Sequence, residues 1–452
     1  MISIKKGSEN YVCTVVQIDN LQKIERADLI QKTTIFGNNV IISKDVKEGD
    51  IMLYFVSGTK LNTDFCKFNN LYSNVEYNND PNSKPGYLSY RQSRVKAIKL
   101  RDIISDGFIL PISSLISFYN RVEVLAENGS NKHIRFNYGK DLSEQDFKVG
   151  DTFTTINRVD ICEKYIITPT RNNNQGGKAP STSKVKLQDR LVKDQFRLHT
   201  DTAHFARNLH KFEPTDNIII TRKYHGTSGI SSHVLIQHSL SFIERILIWF
   251  GINIPTTEYG YVYSSGKPKS NLPKGIFNSK QLSTYNNPNK SYYKEDYWLK
   301  AFNKLKPSLE KGITLYYEIV GDGIQGKDYT YDFEHEIFVY RITQTNIDSI
   351  AYEFSWQQVK DYCNKYGIKY VNEYWVSTYT NLDAAYSFEE TNIIDCLSKT
   401  YLNKSLPDCK VDEGICIRNE RTNEIFKLKS PNFILAENDI AEKEIIDIES
   451  LE

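Results

Sequence analysis

Lys223 closes an apolar, β-branched run (Ile218, Ile219, Ile220, Thr221, Arg222) and is followed, after Tyr224, by His225-Gly226-Thr227. A strand that ends in lysine before a tight glycine turn presents one amine at the rim of a sheet. There, burial and neighbouring cations lower its pKa and free it as a nucleophile, while Gly226 lets backbone approach a ligand closely. The same stretch, taken alone, also reads as a surface lysine before a turn. Glu318 interrupts another apolar run, GITLYYEIVGDG (312–323). A carboxylate there needs a ribose hydroxyl pair or a cation if it is buried, and none if the strand end faces solvent. In EIFVYRI, Phe338 and Tyr340 share one face by the two-residue period, so a ring is offered to a base or to the core, with Phe338 the better core residue. Glu413-Gly414 opens DEGICIRNE, and IFKLKSPNF then sets Lys427 and Lys429 on one face with Phe426 and Leu428 on the other. Two ammonium groups side by side repel, which makes most sense opposite a polyanion such as phosphate.

The elements that must position these groups differ along the chain. Up to about residue 155, YVCTVVQI, ADLIQKTTIF, NNVIISKDV, DIMLYFV and VKAIKL read as short strands between Gly, Asn and Asp punctuation, the pattern of a small OB-type β-barrel. Lys84, Arg91, Arg94, Lys96, Lys99 and Arg101 give +6 over residues 84–101, with Tyr87 and Tyr90 interleaved. A basic strand carrying rings suits a groove for single-stranded nucleic acid, although a solvated strand face has the same composition. RNNNQGGKAPSTSKVK, from Arg171, has no apolar period and reads as a linker. Residues 171–211 hold nine basic and three acidic groups, again +6. Strand and helix signals then alternate to about residue 430.

Composition sets outer bounds. Lys+Arg 57 against Asp+Glu 56 excludes a uniformly basic nucleic-acid coat and an acidic solubiliser, but it hides these patches, which an acidic C-terminal stretch (−6 over 432–452) partly offsets. Seven scattered cysteines without a C-x-x-C pair point to a reducing compartment rather than a disulfide framework. The N-terminus lacks a secretory signal's apolar run, and the longest apolar stretch, Ile246 to Ile254, is too short to span a bilayer. A soluble, cytoplasmic protein is expected. His199 and His204 would be a poor zinc site, having no further Cys or His to complete them.

In order, K-x-H-G-T, Y-x-E-x-x-G, F-x-Y-x-I, E-G-x-x-I-R and K-L-K resemble motifs I, III, IIIa, IV and V of the covalent nucleotidyltransferases: RNA ligases, DNA ligases and mRNA capping enzymes. With 23 residues after Lys429 there is no room for the C-terminal OB barrel of DNA ligases and capping enzymes. Domain order is similar to that of the Deinococcus and Naegleria type of ATP-dependent RNA ligase. The resemblance implies an α+β, multidomain chain: an OB-fold module over 1–155, a basic connecting segment over 156–211, and a nucleotidyltransferase domain of ATP-grasp-like antiparallel sheets with helices over 212–452. It implies joining of 3′-hydroxyl and 5′-phosphate RNA ends, at nicks or breaks, through a lysyl-AMP on Lys223, with ATP and Mg²⁺ or Mn²⁺. Thr221, Arg222, Lys223, Gly226, Glu318, Tyr340, Glu413, Lys427 and Lys429 would line the nucleotide site. Among them Glu318 would take the ribose, Tyr340 the adenine, Glu413 the hydrated metal, and Lys427 and Lys429 the α-phosphate. Arg197, Arg207 and Lys211 would orient pyrophosphate. Two positions depart from the pattern. Gly266 stands where motif Ia has arginine, with Lys267 as a lesser substitute, and His225 stands where other members carry a carboxylate. The rival readings are a capping-type guanylyltransferase and an RNA-binding protein without activity.

Overall fold

The computed structural model describes residues 2–121, 141–166, 191–199, 201–238, 240–265, 296–325, 331–386, 393–402 and 406–442. The linker stretch from Arg171 and the Gly266–Lys267 position lie outside them.

The N-terminal strands form where alternating β-branched residues are punctuated by turns. Ile51–Phe55 sits centrally, paired with Cys13–Gln17 on one side and Phe108–Pro111 on the other, and Thr152–Phe153 adds at the edge. Ile30–Ile35 and Asn38–Ser43 make a hairpin, and Ala97–Leu100 pairs with Ile103–Asp106. Two apolar clusters fill this unit, one around Leu53, Phe65, Phe118 and Phe153 and the other around Val40 and Tyr54. All five expected strands are present. The basic stretch is different: Lys84 to Lys96 is loop, and strand begins at Ala97. Gly86 explains part of this, since a Cβ there would meet the Leu71 carbonyl at 2.1 Å, a close backbone crossing that a regular strand does not make. The unit also runs past 155, because Cys162–Lys164 pairs with Thr59–Leu61.

Two antiparallel five-stranded sheets build the rest. The first runs Ala203–His204, Ile425–Lys429, Gly414–Asn419, Asn217–Lys223, Glu373–Thr378, its short first strand parallel to its neighbour. That pairing brings residue 203 into the sheet, ahead of the expected boundary at 212. The second runs Thr257–Ser265, Thr227–Gln237, Ile313–Val320, Glu336–Thr345, Ala351–Glu353. Helix Trp356–Tyr366 has a Ser355/Gln358 capping box and stops at Gly367, whose φ of 65° is the left-handed conformation favoured at that position. The α+β architecture with an N-terminal OB-type unit is as expected. Among the described residues no helix is long and apolar enough to cross a membrane.

Several contacts join the two units. Helix Pro431–Glu442 packs on Ala97–Leu100 and Ile103–Asp106. Asn10 donates to the Thr202 carbonyl at 3.1 Å. Arg207 lies over the rings of Phe36 and Tyr54, at 5.5 and 5.7 Å.

Candidate active site

The two sheets open onto one cavity, and the OB-type unit forms its other wall. Asn217–Lys223 and Gly414–Asn419 pair so that Lys223 lies opposite Gly414, which puts Lys223 next to Glu413. Lys223 Nζ is 2.8 Å from Glu413 Oε1, with the carboxylate fully buried and the lysine side chain 16% exposed. Glu413 Oε2 is 3.6 Å from His225 Nδ1. Gly414 then pairs with Lys429 and Cys416 with Lys427, so the strand alternation presents both ammonium groups to the cavity while Phe426 and Leu428 pack inward. Cys416 lies among these charges, and burial pushes its thiol up to about 11 despite the lowering effect of Lys223.

The second sheet supplies the opposite side. Glu318 is buried at the cavity wall rather than facing bulk solvent, and accepts from Ser228 Oγ at 3.0 Å. Phe338 stacks on Tyr224, centroids 4.3 Å apart, and is a core residue. Tyr340 behaves differently because Ile313–Val320 and Glu336–Thr345 shift register there. Tyr317 pairs with Val339 and Tyr316 with Arg341, leaving Tyr340 without a register partner on that strand. Such a bulge re-aims one side chain, and Tyr340 lines the cavity with its ring edge-on to His199 at 5.2 Å. At Gly226 a Cβ would meet the Ile319 carbonyl at 2.2 Å, so glycine is needed for the turn after Lys223 to lie against the Glu318 strand.

The cavity therefore gathers Thr221, Lys223, Glu318, Tyr340, Glu413, Lys427 and Lys429, together with Arg222. Arg222 is nonetheless committed elsewhere. Its Nε donates to Asp412 at 2.9 Å, Nη1 and Nη2 fork onto Asp408 at 2.6 and 2.9 Å, and the guanidinium lies over Tyr224. It braces the loop before Glu413 rather than offering donors to a ligand. Arg197 donates to the backbone of Ser349 and Asp194, Lys211 pairs with Glu424 at 2.6 Å, and Arg207 sits at the seam between units. None of these three is among the residues that line the cavity. His204 lies at the sheet edge beside Lys427. Burial and the nearby cations push its imidazole well below its ordinary value, so it is neutral rather than a partner for anions.

Several cavity residues went unread in the sequence. The OB-type unit contributes Tyr11, Ser57, Arg94, Lys164 and Tyr165, with Arg94 buried and its guanidinium 5.3 Å from the Tyr165 ring. Arg94 stood out in the basic run as one cation among six, but not as the one turned inward. Glu437, counted with the acidic C-terminal stretch, reaches the cavity from helix Pro431–Glu442 and holds Lys429 through both oxygens, at 3.0 and 3.1 Å. A phosphate that takes Lys429 must displace this carboxylate. Glu437→Gln is accordingly expected to lower the nucleotide concentration giving half-maximal reaction by about two- to five-fold, the worth of a partly exposed ion pair of ~0.5–1 kcal/mol. Titration of the initial rate against nucleotide measures it, and an unchanged or higher value rejects competition.

The donor set also bears on metal binding. Among the described residues no group of three or more His, Cys, Asp and Glu could cage an ion directly. Mg²⁺ and Mn²⁺ need no such cage, because a hydrated ion is commonly held by one or two carboxylates plus substrate phosphates. Glu413, buried beside Lys223, fits that mode.

Comparison with known proteins agrees with this geometry. Residues 216–429 match the family model described as RNA ligase, and residues 12–112 match an OB-fold domain. A search of curated proteins finds no significant match. Among solved structures, the chain is similar in fold to a lysine-to-alanine variant of Naegleria gruberi RNA ligase with ATP and Mn. The TM-score is 0.53 at 14% identity, over 93% of this chain and 98% of that one. Two glutamate-to-alanine variants of that enzyme, one with ATP and Mn and one with AMP and Mn, each give 0.51, at 15% and 14% identity. They cover 93% of this chain and 98% and 97% of theirs. Residues 216–429 thus match the RNA ligase family model, and a match to an OB-fold domain precedes them in the chain.

Proposed function

We propose that this protein is an ATP-dependent ligase that joins the 3′-hydroxyl and 5′-phosphate ends of RNA, at nicks in a duplex or at breaks. The observation that carries this reading is the meeting in one cavity of Lys223, its buried partner Glu413, the Lys427–Lys429 pair and Glu318 with Tyr340 opposite. As a neutral amine, Lys223 Nζ attacks the α-phosphorus of ATP; the N–P bond forms, the nitrogen gives up a proton to solvent, the bond to the bridging oxygen breaks, and pyrophosphate leaves with its electron pair. An oxygen of the RNA 5′-phosphate next attacks that phosphorus, and the amine of Lys223 leaves and regains a proton. The 3′-hydroxyl then attacks the 5′-phosphorus, loses its proton, and expels AMP.

Each side chain has a defined share of this work. Lys427 and Lys429 neutralise charge building on the α-phosphate oxygens, which matters more in phosphoryl chemistry than covalent help. Glu318 accepts from ribose hydroxyls, and Tyr340 offers its ring to the base. Arg94 and Lys164 add cations from the other wall. Lys223 Nζ lies 2.8 Å from the Glu413 carboxylate, a pairing that favours the charged form of a lysine over the nucleophilic amine. A hydrated divalent cation on Glu413, when bound, supplies the positive charge that releases the amine from this pairing and polarises the α-phosphate. None of the seven cysteines is in a disulfide, which supports a reducing, cytoplasmic setting.

The test is transfer of label from [α-³²P]nucleotide to the protein, with Mg²⁺ or Mn²⁺, followed by sealing of RNA ends. ATP is expected to label and GTP to fail; labelling by GTP alone would mean a capping-type guanylyltransferase, and no labelling at all would mean an RNA-binding protein.

A further inference from the structure

A basic strand was expected over residues 84–101, and the actual path of the chain between Leu61 and Ala97 separates its residues into two sets. Arg94 turns inward, 5% exposed, and lines the nucleotide cavity. Tyr77, Tyr87 and Tyr90 turn outward at 40%, 79% and 48% exposed. These rings are ordered rather than loose. Tyr77 and Tyr90 stack face to face, centroids 3.8 Å apart and 5° from parallel, and Tyr90 meets buried Tyr72 edge-on at 5.3 Å. Tyr72 is itself fixed by hydrogen bonds to Ser93 Oγ and the Thr63 carbonyl. Tyr87 stands beside Phe108, centroids 6.3 Å apart.

Charge on this surface favours a polyanion. Lys84 and Arg91 are exposed among the rings. Residues 62–96 carry five cations (Lys67, Lys84, Arg91, Arg94, Lys96) against three carboxylates, Asp64, Glu76 and Asp80, of which Glu76 accepts from Asn74 Nδ2 and Asp80 from the Asn82 amide. Rigid exposed rings alternating with cations are what single-stranded nucleic acid needs, with bases on the ring faces and phosphates on the cations. Four residues separate Tyr90 from Arg94, so their Cα atoms lie within ~14 Å. A strand resting on the rings therefore has its end beside the cavity.

We propose that Tyr77, Tyr87 and Tyr90, with Lys84 and Arg91, form the platform on which an unpaired RNA strand is held while its end is presented to the Lys223 cavity. The platform extends the ligase reading above and rests on it.

The experiment uses the full chain and its Tyr87→Ala, Arg91→Ala and Tyr77→Ala/Tyr90→Ala variants. Three readouts are taken: label transfer from [α-³²P]ATP, binding of a fluorescein-labelled single-stranded RNA, and sealing of single-stranded RNA whose 5′ end is already adenylylated. Ring variants are expected to weaken RNA binding about five-fold or more per ring lost, and to slow sealing in proportion. Arg91→Ala should also reduce the slope of log affinity against log salt by about 0.7. ATP labelling should stay within about two-fold of wild type. The double variant loses packing on Tyr72, so Tyr87→Ala and Arg91→Ala, which sit on exposed side chains, decide. Wild-type RNA affinity and sealing in both overturns the platform, as does a wild-type protein that takes label from ATP but binds no RNA. A wild-type protein that takes no label overturns the ligase reading instead.

Discussion

Lys223→Ala is expected to abolish label transfer from ATP and sealing of 5′-phosphate ends, while sealing of a strand already carrying 5′-adenylate persists. The first two need an amine at the end of the Asn217–Lys223 strand to form the N–P bond. The last step needs only the 3′-hydroxyl, the leaving AMP and the cations around them. Loss through unfolding is distinguished by that retained step. Removing the lysine leaves Glu413 buried without its 2.8 Å partner, which costs stability, so a Lys223→Met variant that keeps the side-chain volume is the companion. Adenylylation at wild-type level in either variant refutes Lys223 as the nucleophile. Loss of the adenylate-sealing step in both, with the fold intact by circular dichroism, would give the lysine a part in joining as well.

Arg222→Ala should act on the fold rather than on nucleotide binding, at about 3–5 kcal/mol, because it strands two carboxylates that the guanidinium now holds. Asp412 shows why the loss is large. Burial pushes its carboxyl above the ordinary range, and Arg222 is the principal group opposing that push. Arg222→Lys will not rescue fully, since one ammonium cannot fork onto Asp408 while meeting Asp412. The measurement is the denaturant midpoint, together with labelling by the fraction still folded at low temperature. A variant of unchanged midpoint but impaired ATP labelling would return Arg222 to the nucleotide site.

What could be read from the sequence divides along physical lines. The nucleophile strand, the Glu318 strand and the Lys427–Lys429 hairpin were legible because two-residue periodicity and a following glycine are local properties. The fate of Arg222 was not, since its partners lie 186 and 190 residues away and no local pattern joins them. Cavity residues from the OB-type unit were hidden for the same reason: Arg94 is distinguished from Lys84 or Arg91 only by the direction the loop takes. The contacts of Arg197, Arg207 and Lys211 were equally hidden, since a carbonyl, a carboxylate and two rings distant in sequence meet them. Helix Pro431–Glu442 was taken as part of an acidic stretch, and its docking on the OB-type unit depends on surfaces more than 300 residues apart.

The bulge at Tyr340 has a mechanical meaning. A residue within a ladder shares the stiffness of its hydrogen bonds, and shifting its ring means straining them. Tyr340 is the extra residue between two paired ones, so its backbone is left out of the register while Val339 and Arg341 keep the sheet paired on either side. The sheet that carries Glu318 thus stays continuous while one aromatic residue in its wall is held by the chain on either side and not by a partner across the ladder.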